Sequence, residues 1–363
     1  MLSDPATIMI TGTLAAAACA LPGAFLVLRG MSLLGDAISH AVLPGIVIAF
    51  LITGEIASWP VLLGAGVTGL LTVFLIEVLT RTKRIKEDAS IAVVFPALFA
   101  LGVLLLAQFA GQTDLDQDCV LYGEILYAPL DVMTIGGLTI ARPLVVLAVM
   151  TLLNLALVLV LTKELQVATF DAAFATAIGL SPVVVHYVLM GFVSVTTVAA
   201  FESVGAILVV AFLIVPPAAA HLLTDRLGLL LSLSVAIGAG SAVAGYLVAR
   251  EYDASIAGCM AGCMGVAFLA AWMLSPRRGM LATLWRRSRL RDRYASALAI
   301  EKLGLAKLDV DALAADLAWS TGRAAQVVSA LESQGLIESD GDAWRPTAEG
   351  RSFAREVVGD SAG

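Results

Sequence analysis

The chain has 363 residues, 60% of them hydrophobic and 14% charged, with a mean hydropathy of +0.94. That ratio leaves too few polar groups to cover a water-soluble protein of this size, which excludes the soluble enzymes and soluble binding proteins. The formal net charge of −7 says little by itself, because in a membrane chain the sidedness of Lys and Arg carries the information.

Residues 1–5 contain Asp4 and no Lys or Arg. The basic start of a cleavable signal is missing, and the apolar run that follows is long enough to cross ~30 Å of hydrocarbon. Run length predicts membrane helices near 6–28, 37–53, 59–79, 90–109, 143–161, 182–199, 203–223, 227–248 and 255–274. Residues 200–202 alone separate the sixth from the seventh. They form a tight hairpin or a partly re-entrant segment, so eight spans is the alternative to nine.

Basic residues predict the orientation. Arg81, Lys83, Arg84 and Lys86 follow the third helix, Lys163 the fifth, Arg226 the seventh, and Arg277 and Arg278 the ninth. The opposite connections are acidic, with Glu55, then Asp114, Asp116, Asp118 and Glu124, then Glu251 and Asp253. Arg142 and Arg250 are mild exceptions. The pattern predicts an N-terminus outside and a C-terminal domain in the cytoplasm.

The four cysteines do not form a disulfide framework. Cys19, Cys259 and Cys263 sit in apolar runs and only Cys119 in a polar stretch. The string AGCMAGCMG around Cys259 and Cys263 suits close helix packing through small residues.

Polar residues inside membrane helices are costly, and each is a functional candidate. The strongest motif is GDAISHAVLPG, residues 35–45. Asp36 and His40 are spaced i, i+4 and share a helix face, with Ser39 beside them. Counted from Arg29 at ~1.5 Å per residue, they lie roughly 10 to 17 Å deep. That approaches the midplane, where transporter sites tend to sit. A carboxylate and an imidazole suit Mn, Fe or Zn. One pair is too few for a specific site, and a two-fold partner would supply a second. The spacing fits equally a pair that neutralises itself inside a bundle. His186 and His221 read as interfacial side chains. Glu202 lines a path near the outer face or is a solvated turn residue.

Residues 162–182, TKELQVATFDAAFATAIGLSP, are too polar to span. Their periodicity predicts a short amphipathic helix over 170–178, closed by Gly179 and Pro182. It docks in a groove of a cytoplasmic partner or lies on the membrane surface. No G-x-x-x-x-G-K-[ST], H-E-x-x-H or G-x-S-x-G occurs, so the chain carries no visible nucleotide-hydrolysing or protease machinery.

Beyond 276 the composition changes. Arg286, Arg287, Arg289, Arg291 and Arg293 form a basic stretch that suits anionic lipid headgroups. Helices follow over 294–303, 310–317 and 323–334, then a hairpin with Asp340–Gly341 as its turn, then a helix opened by Thr347. The expected organisation is a membrane domain at 1–276, a basic juxtamembrane linker at 277–293, and an α+β winged-helix-like cytoplasmic domain at 294–363. This tail has six basic and eleven acidic residues, and its second helix-turn helix carries a single basic residue, Arg323. Tight DNA binding is not expected of it.

Together, FLVLRGMSLLGDAISHAVLPG, RTKRIKEDASIAVVFPALFALGVLL, LDQDCVLYGEILYAPLD, KELQVATFDAAFATAIGLSP and FESVGAILVVAFLIVPPAAAHLLTDRL resemble, in order, the membrane permeases of bacterial ABC importers for manganese, zinc and iron. The resemblance covers roughly 24–273. It implies an all-α polytopic fold in the bacterial inner membrane and no enzyme activity in this chain. It also implies two cytoplasmic ATP-binding subunits, a second permease copy or paralogue, and an extracytoplasmic metal-binding protein. The transported ion would be divalent Mn, Zn or Fe, with manganese favoured and no cofactor held permanently. Family members place metal ligands on the motif occupied here by Asp36 and His40, and their coupling helix matches 169–179. Phe170 would then enter an apolar notch of an ATPase, Asp171 would cap or orient the helix, and Gly179 would close it. The tail is similar to the winged-helix part of metal-dependent repressors. A membrane-tethered metal-responsive regulator and an ATP-independent metal transporter are the competing readings.

Overall fold

The computed structural model describes residues 4–54, 59–109, 125–135, 138–275, 279–305, 308–340 and 343–359. The chain divides into two compact units, Met1–Ser275 and Pro276–Gly363. The acidic Glu55, Asp114, Asp116, Asp118 and Glu124, together with Cys119, Arg277, Arg278 and Gly341, lie outside the described residues.

The first unit contains α1 (Asp4–Leu28), α2 (Ser32–Ala41), α3 (Leu43–Thr53), α4 (Trp59–Arg81) and α5 (Glu87–Phe109). A 3-10 turn at Ile125–Tyr127 and the strands β1 (Val132–Ile135) and β2 (Leu138–Ala141) follow. Then come α6 (Arg142–Val160), the short α7 (Thr162–Phe170) and α8 (Ala172–Ala177), α9 (Pro182–Val204), α10 (Ala206–Leu223), α11 (Leu227–Tyr252) and α12 (Ile256–Leu274). Among the described residues nine stretches are long and apolar enough to cross a membrane, with α2 and α3 forming one of them.

Two expectations change here. The unit is not purely helical: β1 and β2 pair antiparallel, Val132 opposite Ala141 and Ile135 opposite Leu138. The alternation in VMTI and LTIA around a Gly–Gly pair carries that signal in the sequence. Residues 200–202 are also not a turn. α9 runs through them to Val204, and the chain reverses its dihedral habit at Gly205 alone, with φ +84° and ψ 159°. Only glycine adopts that conformation without a steric cost.

α1 packs against α6, α9, α10 and α11. Its buried face is built from Ala15, Ala16, Ala18, Cys19 and Ala20, small enough to let neighbouring backbones approach. A Cβ at Gly23 would lie 2.0 Å from the Leu213 carbonyl oxygen on α10. A Cβ at Gly45 would lie 2.0 Å from Thr68 Oγ1 and 2.3 Å from the Gly64 carbonyl oxygen on α4. In lipid, where apolar side chains gain little by leaving their surroundings, such close packing is what holds helices together. α12 seats against α11 in the same way: a Cβ on Gly245 would fall 2.3 Å from Met260 Cα. Cys259 and Cys263 are free and half-buried beside it, and Cys19 is free and buried. A polar tie adds to this. Buried Asn154 on α6 donates through Nδ2 to the Ala18 carbonyl at 2.9 Å and to Thr196 Oγ1 at 2.8 Å, joining α6, α1 and α9.

The second unit contains α13 (Met280–Leu305), α14 (Val310–Asp316), α15 (Thr321–Ser333), the antiparallel pair β3 (Ile337–Asp340) and β4 (Ala343–Pro346), and α16 (Ala348–Gly359). α13 runs unbroken from Met280 to Leu305, so one helix holds most of the basic stretch and the first residues expected of the tail. No glycine or proline interrupts 280–303, and Ala, Leu, Arg and Lys favour the helix. Asp309 caps α14 by accepting from the Ala312 N–H at 2.7 Å, and Ser320 caps α15. Ile300, Leu303, Leu313, Val328, Leu331, Ile337 and Val357 close a core of its own.

Candidate metal site and coupling segment

α2 opens after Gly30, whose φ is +71°, and carries both candidate ligands. His40 Nε2 lies 3.6 Å from Asp36 Oδ1, with the two side chains 36% and 46% exposed. The spacing therefore does bring the two donors together, and neither is sealed in the core. Pro44 follows His40 by four residues. It has no N–H to give to the His40 carbonyl, which loosens the helix where α2 passes into α3. The imidazole is flanked by Phe95 and Phe99 on α5, at ring-centroid distances of 6.1 and 6.3 Å. Those rings fix its orientation and leave Asp36 as its polar neighbour.

Ser39 behaves differently. It is 2% exposed and its hydroxyl donates to the Asp36 carbonyl oxygen at 2.6 Å. The hydroxyl serves the helix backbone. Glu202 sits in the last turn of α9, where Arg142 Nη1 lies 3.3 Å from its Oε1. It is an ion-paired helix residue and not a solvated turn. His186 lies beside Arg29, with Nδ1 3.4 Å from a guanidinium nitrogen. His221 is in the last turn of α10. Among the described residues no group of three or more His, Cys, Asp and Glu side chains converges. The described residues of one chain thus offer a pair of donors and no complete cage.

The segment between α6 and α9 is two helices and not one. Asp171 breaks it with φ −149° and ψ 87°, so Phe170 ends α7 and does not begin the second helix. Asp171 Oδ1 accepts from the Phe174 N–H at 2.8 Å and caps α8. Gly179, at φ +86°, turns the chain out of α8, and Ser181 caps α9. Phe170, Phe174 and Ile178 are 62%, 54% and 53% exposed. Four-residue spacing across the break leaves three large apolar side chains unburied in a polar segment.

A polar cluster stands beside this segment. Arg29 Nε donates to Thr169 Oγ1 at 3.1 Å. Glu77 on α4 accepts from Arg81 at 2.7 Å and from the Tyr187 hydroxyl. Burial lowers the pKa of Arg29 from its ordinary value, though a guanidinium has enough margin to stay charged near neutrality. In one dimension Arg29 reads only as the border of the first helix. The missed signal was that Arg29 stands alone between two apolar runs, close ahead of the Asp–His motif.

A model described as the ABC 3 transport family matches residues 6–275. The manganese transport system membrane protein MntD of Bacillus subtilis is 48% identical over 281 residues, covering 77% of this chain and 95% of that protein. The zinc transport system membrane protein TroD of Treponema pallidum is 39% identical over 357 residues, covering 96% of this chain and 97% of that protein, the tail included. Among solved structures, PsaBC from Streptococcus pneumoniae in complex with Fab is similar with a TM-score of 0.63 and 28% identity, covering 77% of this chain and 94% of that one.

Proposed function

This chain belongs to the ABC 3 transport family, and from that premise we propose that it imports a divalent transition-metal ion, manganese before zinc or iron, into the cytoplasm. It is a membrane permease and not an enzyme; the ATPase is a separate subunit. The observation that carries the proposal is the Asp36–His40 pair, 3.6 Å apart and half-exposed on a helix with no other titratable side chain. A carboxylate and an imidazole at one point suit a borderline first-row ion, and two donors hold it loosely enough to release it. A second permease copy or paralogue would bring a matching pair to complete the site. The ligand chemistry does not separate Mn from Zn or Fe, and manganese is preferred on the 48% likeness to a manganese transport protein.

The remaining parts follow the same reading. Phe170, Phe174 and Ile178 form the face that two cytoplasmic ATP-binding subunits would cover, with Asp171 and Gly179 fixing the turn of α8. That unpartnered apolar face favours an ATP-driven machine over a transporter that works alone. Arg142 and Glu202 guard the outer side, where an extracytoplasmic metal-binding protein would deliver the ion. The basic stretch at 286–293 suits the anionic cytoplasmic leaflet of the bacterial inner membrane, with the N-terminus outside. The tail is a winged-helix-like module that acts on the assembly and does not bind DNA tightly. The test is uptake of labelled Mn by proteoliposomes holding this chain with its ATPase, permease and binding-protein partners. ATP-dependent uptake, competed by excess Mn more strongly than by Zn or Fe, supports the proposal. Absence of ATP-dependent uptake of all three ions removes it.

A further inference from the structure

Arg29 occupies the corner between α1 and α2 and has no part in the roles assigned above. A basic residue just past a helix end ordinarily anchors to lipid headgroups or complements the helix dipole. Either role would leave its guanidinium in water. Here Nε donates to Thr169 Oγ1 at 3.1 Å, and Nη1 lies 3.4 Å from His186 Nδ1. Nη2 is buried as well and makes no hydrogen bond to any described residue. Thr169 is in the last turn of α7, next to Phe170, and His186 is in the second turn of α9. One side chain therefore ties the corner to two elements 140 and 157 residues away in sequence.

The other side of the corner leads to the metal pair. Gly30 takes φ +71°, and α2 begins at Ser32. Six residues lie between Arg29 and Asp36, four of them in helix, and a helix transmits displacement along its length where a loop would absorb it. Arg29 also lines a cavity of about 300 Å³ together with Glu77, Thr80 and Glu87. That cavity gives the guanidinium room to shift when α7 moves.

We propose that Arg29 is a positioning residue: it is the bridge through which the α7–α8 segment sets the place of α2, and with it the Asp36–His40 pair. The inference deepens the proposed function and rests on it. ATP-driven motion of the coupling segment pulls on Thr169, Thr169 holds Arg29, and Arg29 turns α2. Loss of the bridge leaves ATP hydrolysis running while the ion path no longer follows it.

The experiment measures ions moved per ATP hydrolysed in proteoliposomes holding the full complex, with Mn as the probe. Arg29→Met and Thr169→Val should each lower that ratio by at least about fivefold, the low end of ordinary coupling between two sites, while assembly and hydrolysis stay within about twofold of native. Thr169→Ser keeps the hydroxyl and should keep the native ratio. Thr169→Val is nearly isosteric, so it carries the test even if Arg29→Met fails to insert. A native ratio in Thr169→Val, or an equal loss in the Val and Ser variants, overturns the inference. If the native complex moves no ion, the proposed function fails; if it moves ion and the variants keep its ratio, only the role of Arg29 fails.

Discussion

Replacing Phe170 by Ala separates docking from folding, because the side chain is 62% exposed and supports little of the chain's own packing. A phenylalanine carries on the order of 200 Å² of surface, so about 120 Å² of this one is free for a partner to cover. At ~25 cal/mol per Å², covering it contributes about 3 kcal/mol. Alanine retains part of that area, which puts the expected loss at about 2 kcal/mol, the size of an interface hot spot. The dissociation constant of the ATPase subunit should therefore rise roughly 30-fold. The assay is titration of purified ATPase subunit against the chain in nanodiscs, with thermal unfolding run on the same preparation. Phe170→Ala should leave unfolding unchanged and weaken binding. A shift in binding below about twofold, with the protein folded, would refute the reasoning, since a central aromatic anchor cannot be removed that cheaply.

Three further outcomes are expected. Asn154→Leu removes both interhelical hydrogen bonds at once and should lower stability by about 1 to 2 kcal/mol, read as a fall in the detergent unfolding midpoint; an unchanged midpoint contradicts the tie between α6, α1 and α9. Gly45→Val puts a branched side chain where a Cβ already falls 2.3 Å from the Gly64 carbonyl oxygen, so α3 and α4 must separate and yield of folded protein should drop sharply, whereas Gly228→Ala, with open space around it, should be silent. The intact chain, with its acidic tail, should show no sub-micromolar affinity for duplex DNA by fluorescence anisotropy at physiological salt; such affinity would revive the regulator reading.

Much of the membrane unit is legible in one dimension because a spanning helix is announced by the length of its apolar run. The sequence places α4, α6, α11 and α12 within a few residues on that basis alone. The same property hides what lies between the helices. α10 is apolar around its whole circumference, so no stripe reveals which neighbour it meets. The end of α9 was misplaced because Glu202 looked like a break, while the real junction needs the positive φ of Gly205. Asp171 split the coupling segment for the opposite reason: a single Asx cap outweighs an apolar periodicity that carries straight across it. The Asp36–His40 pair was readable from spacing, since i, i+4 fixes a common face. The partners of Arg29 were not, because hydrogen bonds spanning 140 and 157 residues leave no local pattern.

The central claim is that Asp36 and His40 hold the ion in passage, and substitution at those two positions tests it most directly. Asp36→Asn removes the charge at nearly constant shape and still offers a hydrogen-bonding group. The measurement is ATP-dependent Mn uptake by the reconstituted complex, scored beside membrane insertion and ATPase assembly. Uptake should collapse in Asp36→Asn and in His40→Ala while insertion and assembly persist, and the double variant should be little worse than either single one, since both residues act on one ion. Near-normal uptake by a well-assembled Asp36→Asn complex would contradict it and reduce the pair to a helix-packing contact.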